Sequence, residues 1–354
     1  MTLEGKTFHP RRRTGIFILK ILLIFSGLFF NACSEPEEQL IDIRGEAQGT
    51  YYAIKYLADS EVLTKNDFDA IFAKIDSSLS TYQSYSLITK FNREDSLITK
   101  DPLFIEMLRE SAKVYHQSNG AFDPTVMPLV RAWGFGPEGK EYVADQPLDS
   151  IMKLVGWDKL IIDYLPDGSL LLKKSIKGMQ LDFNAIAQGY ASDLIAEALE
   201  KKGIKNYLVD SGGELLAKGH NNKGEIWSIG IDRPEENAID RQLIAVFKLD
   251  NKAVATSGNY RKFYIKDGVK YSHTISPTLG MPVEHSLLSA TVITDTCAMA
   301  DAYATALMVM GLDKSIAFIE ALPHAEAYLV FSDSEGKFKS YQSTGLAGMI
   351  KENE

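Results

Sequence analysis

The stretch SGNYRKFYIKDGVKYSHTISPTLGMPVEHSLLSATVITDTCAMADAYATALMVMG, residues 257–311, holds three strand-like runs in succession and then one long apolar helix. Residues 263–266, 272–275 and 289–294 read as strands, and 296–311 as a helix with Gly311 at its end. Working upstream, 206–209, 226–231, 243–249 and 254–256 are further strands, and 41–57 reads as a strand pair around the turn residues Gln48 and Gly49. Helical spacing of apolar residues appears over 67–80, 104–116, 184–202 (closed by Gly203) and 314–322. Strands follow one another rather than alternating strictly with helices. The fold class is therefore α+β, a single domain of mixed or antiparallel sheets flanked by helices, and not doubly wound. No long Pro, Gly or Ser run and no fixed-period repeat divides residues 44–354.

The N-terminus differs in kind. Lys6 and Arg11 to Arg13 precede an apolar run over 16–30 that stops at Asn31, Ala32 and Cys33. A charged start followed by a short apolar stretch is a secretory signal, and a permanent span needs about 20 apolar residues. The small residue before Cys33 resembles a bacterial lipoprotein signal, with residues 1–32 removed, Cys33 acylated and 33–43 a polar tether. An ordinary signal peptide with an incidental cysteine is the alternative. Lipidation would anchor the chain to the extracytoplasmic side of a bacterial envelope membrane without spanning it. Without Lys6, Arg11, Arg12, Arg13, Lys20 and Glu4, the 38 basic and 47 acidic residues become 33 and 46, a formal charge of −13. Such a chain is poorly suited to nucleic acid, whose phosphates need Lys and Arg. The only other cysteine, Cys297, lies in an apolar helix and reads as a buried small hydrophobe.

Several residues suit chemistry. Asp301 and Thr305 are four apart on one helix, so both oxygens share a face, and hard oxygens are what magnesium prefers. The same pair also suits a solvated face with Thr305 bonded back to a helix carbonyl. The segment LDFNAIAQGYASD, residues 181–193, leads from an apolar strand end through Asp182 into the small residues Ala185, Ala187 and Gly189. Small side chains admit a ligand close to the backbone, and equally they admit tight helix packing. His273 in YSHTISPTLG is a candidate general base or a structural histidine of a strand. GAFDPTV, residues 120–126, is a candidate ligand loop or a turn in which Asp123 bonds its own backbone.

Taken in order, QGT (48–50), STY (80–82), FN (91–92), GAFDPTVMPLVRAWGFGP (120–137), LDFNAIAQGYASD, VDSGGEL (209–215), ATSGNY (255–260), SHTISPTLG (272–280) and ADAYATALMVMG (300–311) resemble the ApbE family of FAD:protein FMN transferases. The resemblance covers nearly the whole chain after the N-terminal segment. It implies a magnesium ion held by Asp301, Thr305 and the backbone oxygen of Ala185. It implies FAD contacts at Gln48, Tyr82, Ala121, Phe122, Asp123, Asp182, Gln188, His273 and Ile275. Two positions depart from the family pattern: Gln48 stands where Met is common, and Gln188 where Lys is often found.

The activity so implied is magnesium-dependent transfer of FMN from FAD to a Ser or Thr hydroxyl of an acceptor protein, with His273 as base and AMP released. The implied acceptors are subunits of membrane redox complexes. Hydrolysis of FAD to FMN and AMP, and a non-catalytic flavin-binding lipoprotein, are the alternatives.

Overall fold

The computed structural model describes residue 2 and residues 38–138, 147–234, 242–259, 263–266 and 269–352. Cys33 and, residue 2 apart, the segment expected to be a signal lie outside the described residues. Gln39–Glu354 forms one compact unit.

Its centre is an eight-stranded sheet. In spatial order the strands are Gln39–Ala47 (β1), Thr50–Ala58 (β2), Tyr207–Ser211 (β6), Glu214–Lys218 (β7), Ala253–Gly258 (β10), Leu287–Thr294 (β13), Glu326–Ser332 (β14) and Phe338–Gln342 (β15). Every neighbouring pair is antiparallel. Residues 39–43, read from the sequence as part of a tether, are the first half of β1, because Gln39 to Ile43 pair with Ala58 to Ile54. The two-residue turn that follows puts Gln48 at φ 53° and Gly49 at φ 76°, the left-handed geometry that suits a tight hairpin.

The helices among the described residues are Lys65–Leu79 (α1), Leu87–Arg93 (α2), Pro102–Gln117 (α3), Met127–Ala132 (α4), Leu148–Met152 (α5), Ala187–Lys201 (α6), Cys297–Met310 (α7) and Leu312–Glu320 (α8). Of these α1, α6, α7 and α8 pack on the central sheet. The amphipathic α1 buries Phe68, Phe72, Ile75 and Leu79, spaced three and four apart, each stabilising by about 1.5–3 kcal/mol. By contrast α7 is buried almost all round and runs along β10 and β13 at the middle of the core. Cys297 at its start is buried, its thiol pushed well above the ordinary range by loss of water, which makes it an inert packing group.

Three smaller sheets complete the unit. Trp227–Asp232 (β8), Leu243–Leu249 (β9) and Ile350–Glu352 (β16) supply Trp227, Ile229 and Phe247 to a second core with Val254, Ile293 and Tyr328. Ser96–Thr99 (β3), Leu160–Tyr164 (β4) and Leu170–Lys174 (β5) form another, and Phe263–Lys266 (β11) pairs with Val269–Ser272 (β12).

Two sequence expectations change. The strand expected over 272–275 ends at Ser272, so His273 follows the strand; Ile275 makes only an isolated bridge with Pro282. The helix expected from 184 begins at Ala187, because Asp182 captures the Asn184 amide at 2.8 Å and Ile186 donates to the Phe183 carbonyl, closing a turn first.

That turn is held from outside by Asn92. Its Nδ2 donates to the Leu181 carbonyl at 2.8 Å and its Oδ1 accepts from the Leu181 amide at 2.7 Å, replacing a missing strand neighbour. Asn92→Ala leaves both buried backbone groups unpaired and is expected to cost about 2–4 kcal/mol. Urea unfolding checks this as a lower midpoint with an unchanged slope.

Candidate active site

The small-residue segment and the helix of Asp301 and Thr305 meet where α6 packs on α7. Gly189 lies so close to α7 that a Cβ there would stand 2.3 Å from the Cys297 carbonyl oxygen. This contact brings the Gly189 amide to Asp301 Oδ2, at 3.2 Å. One turn further along α6, Asp193 accepts from the Cys297 amide at 2.7 Å and the Ala298 amide at 2.9 Å. The N-cap residue Thr296 makes no side-chain cap, so a carboxylate from the neighbouring helix satisfies the start of α7 instead.

Asp301 is buried in an otherwise apolar helix, and its one hydrogen bond among the described residues is that from Gly189. Burial, aided by the charge of Asp193, pushes its carboxyl up to about 7, and no basic side chain among the described residues pairs with it. Thr305, one turn on, has its hydroxyl 3.3 Å from Ser257 Oγ at the end of β10. The reading of Asp301 as a solvated surface residue therefore falls. Ala185 sits in the turn before α6, and no donor among the described residues reaches its carbonyl.

No group of three or more His, Cys, Asp or Glu that could hold a metal gathers among the described residues. The set available here is one carboxylate, one hydroxyl and one carbonyl. These are hard oxygens in the low number magnesium takes from protein, so the residues fit that ion.

The other candidates fall into two groups. In the first the side chains are half-buried or exposed. The Asp182 amide donates to the Pro124 carbonyl at 2.8 Å, and its carboxyl is pushed up by burial. Tyr82 lies within reach of the Asp182 charge and is 64% exposed. His273 meets the edge of Phe135, and next to it Thr274 donates to Asn259 at 2.7 Å. Gln188 and Gln48 stand at the sheet end: Gln188 Nε2 donates to the Ser211 carbonyl at 3.0 Å and Gln48 Nε2 to Asp76 at 3.3 Å.

In the second group the side chains face inward. Phe122 and Asp123 are buried, with Asp123 accepting from the Thr125 amide and hydroxyl at 2.8 and 2.6 Å and its carboxyl raised by burial. Ile275 packs in a small core with Leu129, Ile151 and Val155. Ala121 is half-buried beside them. These positions pack into the interior more than they display polar groups.

Sequence reading assigned no role to Asp193, Ser257 or Asn92, and left Gly189 open between close ligand approach and tight helix packing, of which the structure shows the packing. The four-residue interval from Gly189 to Asp193 does place both on one helix face. What that face touches depends on tertiary packing.

Residues 48–329 match the ApbE family. The chain is 34% identical over 346 residues to a FAD:protein FMN transferase of Vibrio cholerae, across 94% of this chain and 98% of the relative. A FAD:protein FMN transferase of Haemophilus influenzae is 33% identical over 326 residues, across 89% and 93%. A solved flavin transferase ApbE from Vibrio cholerae is similar at TM-score 0.76 and 31% identity, covering 88% of this chain and 99% of that one. For the apo form of the Pseudomonas stutzeri flavinyl transferase ApbE the values are 0.77, 32%, 88% and 97%.

Two outcomes are expected at the helix contact. Gly189→Ala should lower the unfolding midpoint and Asp301 should lose its Gly189 contact, since the added methyl must push the backbone of α7 away. Asp301 binds its proton more tightly folded than unfolded, so its burial penalty grows as pH rises from about 4 to about 7 and is complete above that. Asp301→Asn should therefore stabilise the metal-free protein at pH 8 by up to about 4 kcal/mol and leave it nearly unchanged at pH 4. Thermal unfolding in chelator at the two pH values tests this.

Proposed function

Since the chain belongs to the ApbE family, we propose that it is a FAD:protein FMN transferase that moves FMN from FAD to a Ser or Thr hydroxyl of an acceptor protein and releases AMP. The observation that carries this reading is Asp301: a buried carboxylate with no cationic partner among the described residues, one turn from Thr305. Such a group costs stability and suits a site that takes up a divalent cation. Asp301, Thr305 and the Ala185 carbonyl would hold Mg²⁺. Bound there, the ion would supply neutralisation of the negative charge on the diphosphate.

The remaining roles belong to the other candidate side chains. Tyr82, with its ring largely exposed beside Asp182, offers a flat apolar surface to a flavin or adenine ring. Gln48, residues 121–123, Asp182, Gln188 and Ile275 line the same substrate. His273 takes the proton of the acceptor hydroxyl as its oxygen bonds to the phosphorus on the riboflavin side. The bond from that phosphorus to the bridging oxygen breaks, and AMP leaves with the electron pair. Phe135 packs in a T-shaped contact with the His273 ring. The acceptors in this reading are subunits of membrane redox complexes, and a lipid on Cys33 holds the enzyme on the extracytoplasmic side of the envelope.

Incubation with FAD, Mg²⁺ and a Thr-containing acceptor peptide should add the mass of FMN less water to the peptide and release one AMP for each peptide modified. AMP without peptide modification would mark a hydrolase, and neither product a flavin-binding protein. His273→Ala should slow transfer by about 10²-fold or more while FAD binding persists. Transfer at the wild-type rate in that variant would remove the base.

A further inference from the structure

This inference rests on the reading of FAD as substrate. Residues 121–135 are tied at one end to Asp182 through the Pro124 carbonyl. At the other end Trp133 Nε1 donates to the Gly280 carbonyl at 2.7 Å and Phe135 meets His273 at 6.5 Å between ring centroids. Arg131, in α4, lies between these two anchor points.

Its side chain is set in place from several sides. Gly136 closes on the stem so tightly that a Cβ there would lie 2.7 Å from Arg131 Cγ. One guanidinium nitrogen pairs with Glu138 Oε1 at 2.9 Å. Nε is buried and has no hydrogen-bond partner among the described residues. The side chain as a whole stays 27% exposed, so its remaining N–H donors can meet an anionic oxygen from solvent.

The surroundings make the same point. Asp123, Asp182 and Asp301 are all carboxylates short of solvent, and the charge of Arg131 is felt at Asp182, three residues before Ala185. A diphosphate held near Asp182 meets repulsion that a fixed cation beside that residue offsets.

We propose that Arg131 binds the diphosphate of FAD, with Glu138 as an internal counter-anion that the diphosphate displaces. Arg131 is a substrate-binding residue in this assignment, and its fork of N–H donors fits phosphate oxygens better than a lysine does.

The test compares wild type, Arg131→Gln, Arg131→Lys and Glu138→Gln for binding of FAD, riboflavin and inorganic pyrophosphate by calorimetry, with thermal unfolding as a check on folding. Arg131→Gln should weaken FAD and pyrophosphate about tenfold or more and leave riboflavin unchanged. Arg131→Lys should fall between, and Glu138→Gln should bind FAD more tightly than wild type. Wild-type affinity for FAD in Arg131→Gln, or an equal loss of FAD and riboflavin, would overturn the assignment. Should Arg131→Gln fail to fold, Arg131→Lys decides by the same comparison. FMN transfer by wild type, run in parallel, separates the two readings: a protein that binds pyrophosphate through Arg131 yet transfers nothing refutes the transferase and leaves the anion site standing.

Discussion

The close approach of α6 to α7 is the constraint on which the site depends. Three features in two turns of α6 produce it: the missing side chain at Gly189, the Gly189 amide on Asp301, and the Asp193 carboxylate on the first amides of α7. None of these touches a substrate in the assignment made above. Together they set the depth and rotation of the helix that carries Asp301 and Thr305. Asn92 performs a related service for the preceding segment, holding Leu181 so that Asp182 and Ala185 stand at fixed positions before α6 begins.

The electrostatics follow from this geometry. Packing α7 through the middle of the core removes water from Asp301, and capping α7 with Asp193 brings a second carboxylate near it. Burial raises both groups, as does burial at Asp182 and Asp123. A fold selected for stability alone would place amides or apolar groups at some of these positions.

Much of this was legible in the residues. The paired strands around Gln48 and Gly49 and the apolar helices 67–80 and 104–116 lie close to where periodicity puts them, because each buries one regular face. The i, i+4 spacing of Asp301 and Thr305 was visible too, though not their burial, since a helix apolar on every side has no face that points to solvent. His273 was placed in a strand that stops one residue earlier, where the backbone turns toward Asn259 and Gly280 instead of continuing a ladder. The helix start at 187 escaped because Asp182 bonds to the backbone locally and competes with the first turn. The second layer of three strands on the far side of the sheet was only partly seen; β16 is three residues long and acquires meaning only beside β9.

The order of strands in the central sheet has a consequence for how the molecule comes into being. Tyr52 pairs with Ser211, and β10 lies between β7 and β13, so neighbours in space are drawn from distant parts of the chain. Loops that long must close before the contacts that reward them exist, which makes folding slow and late rather than stepwise along the chain. The α6–α7 junction joins Gly189 to Asp301 across more than a hundred residues. A nascent polypeptide therefore has no partial version of the centre, which forms only once α7 has emerged and docked.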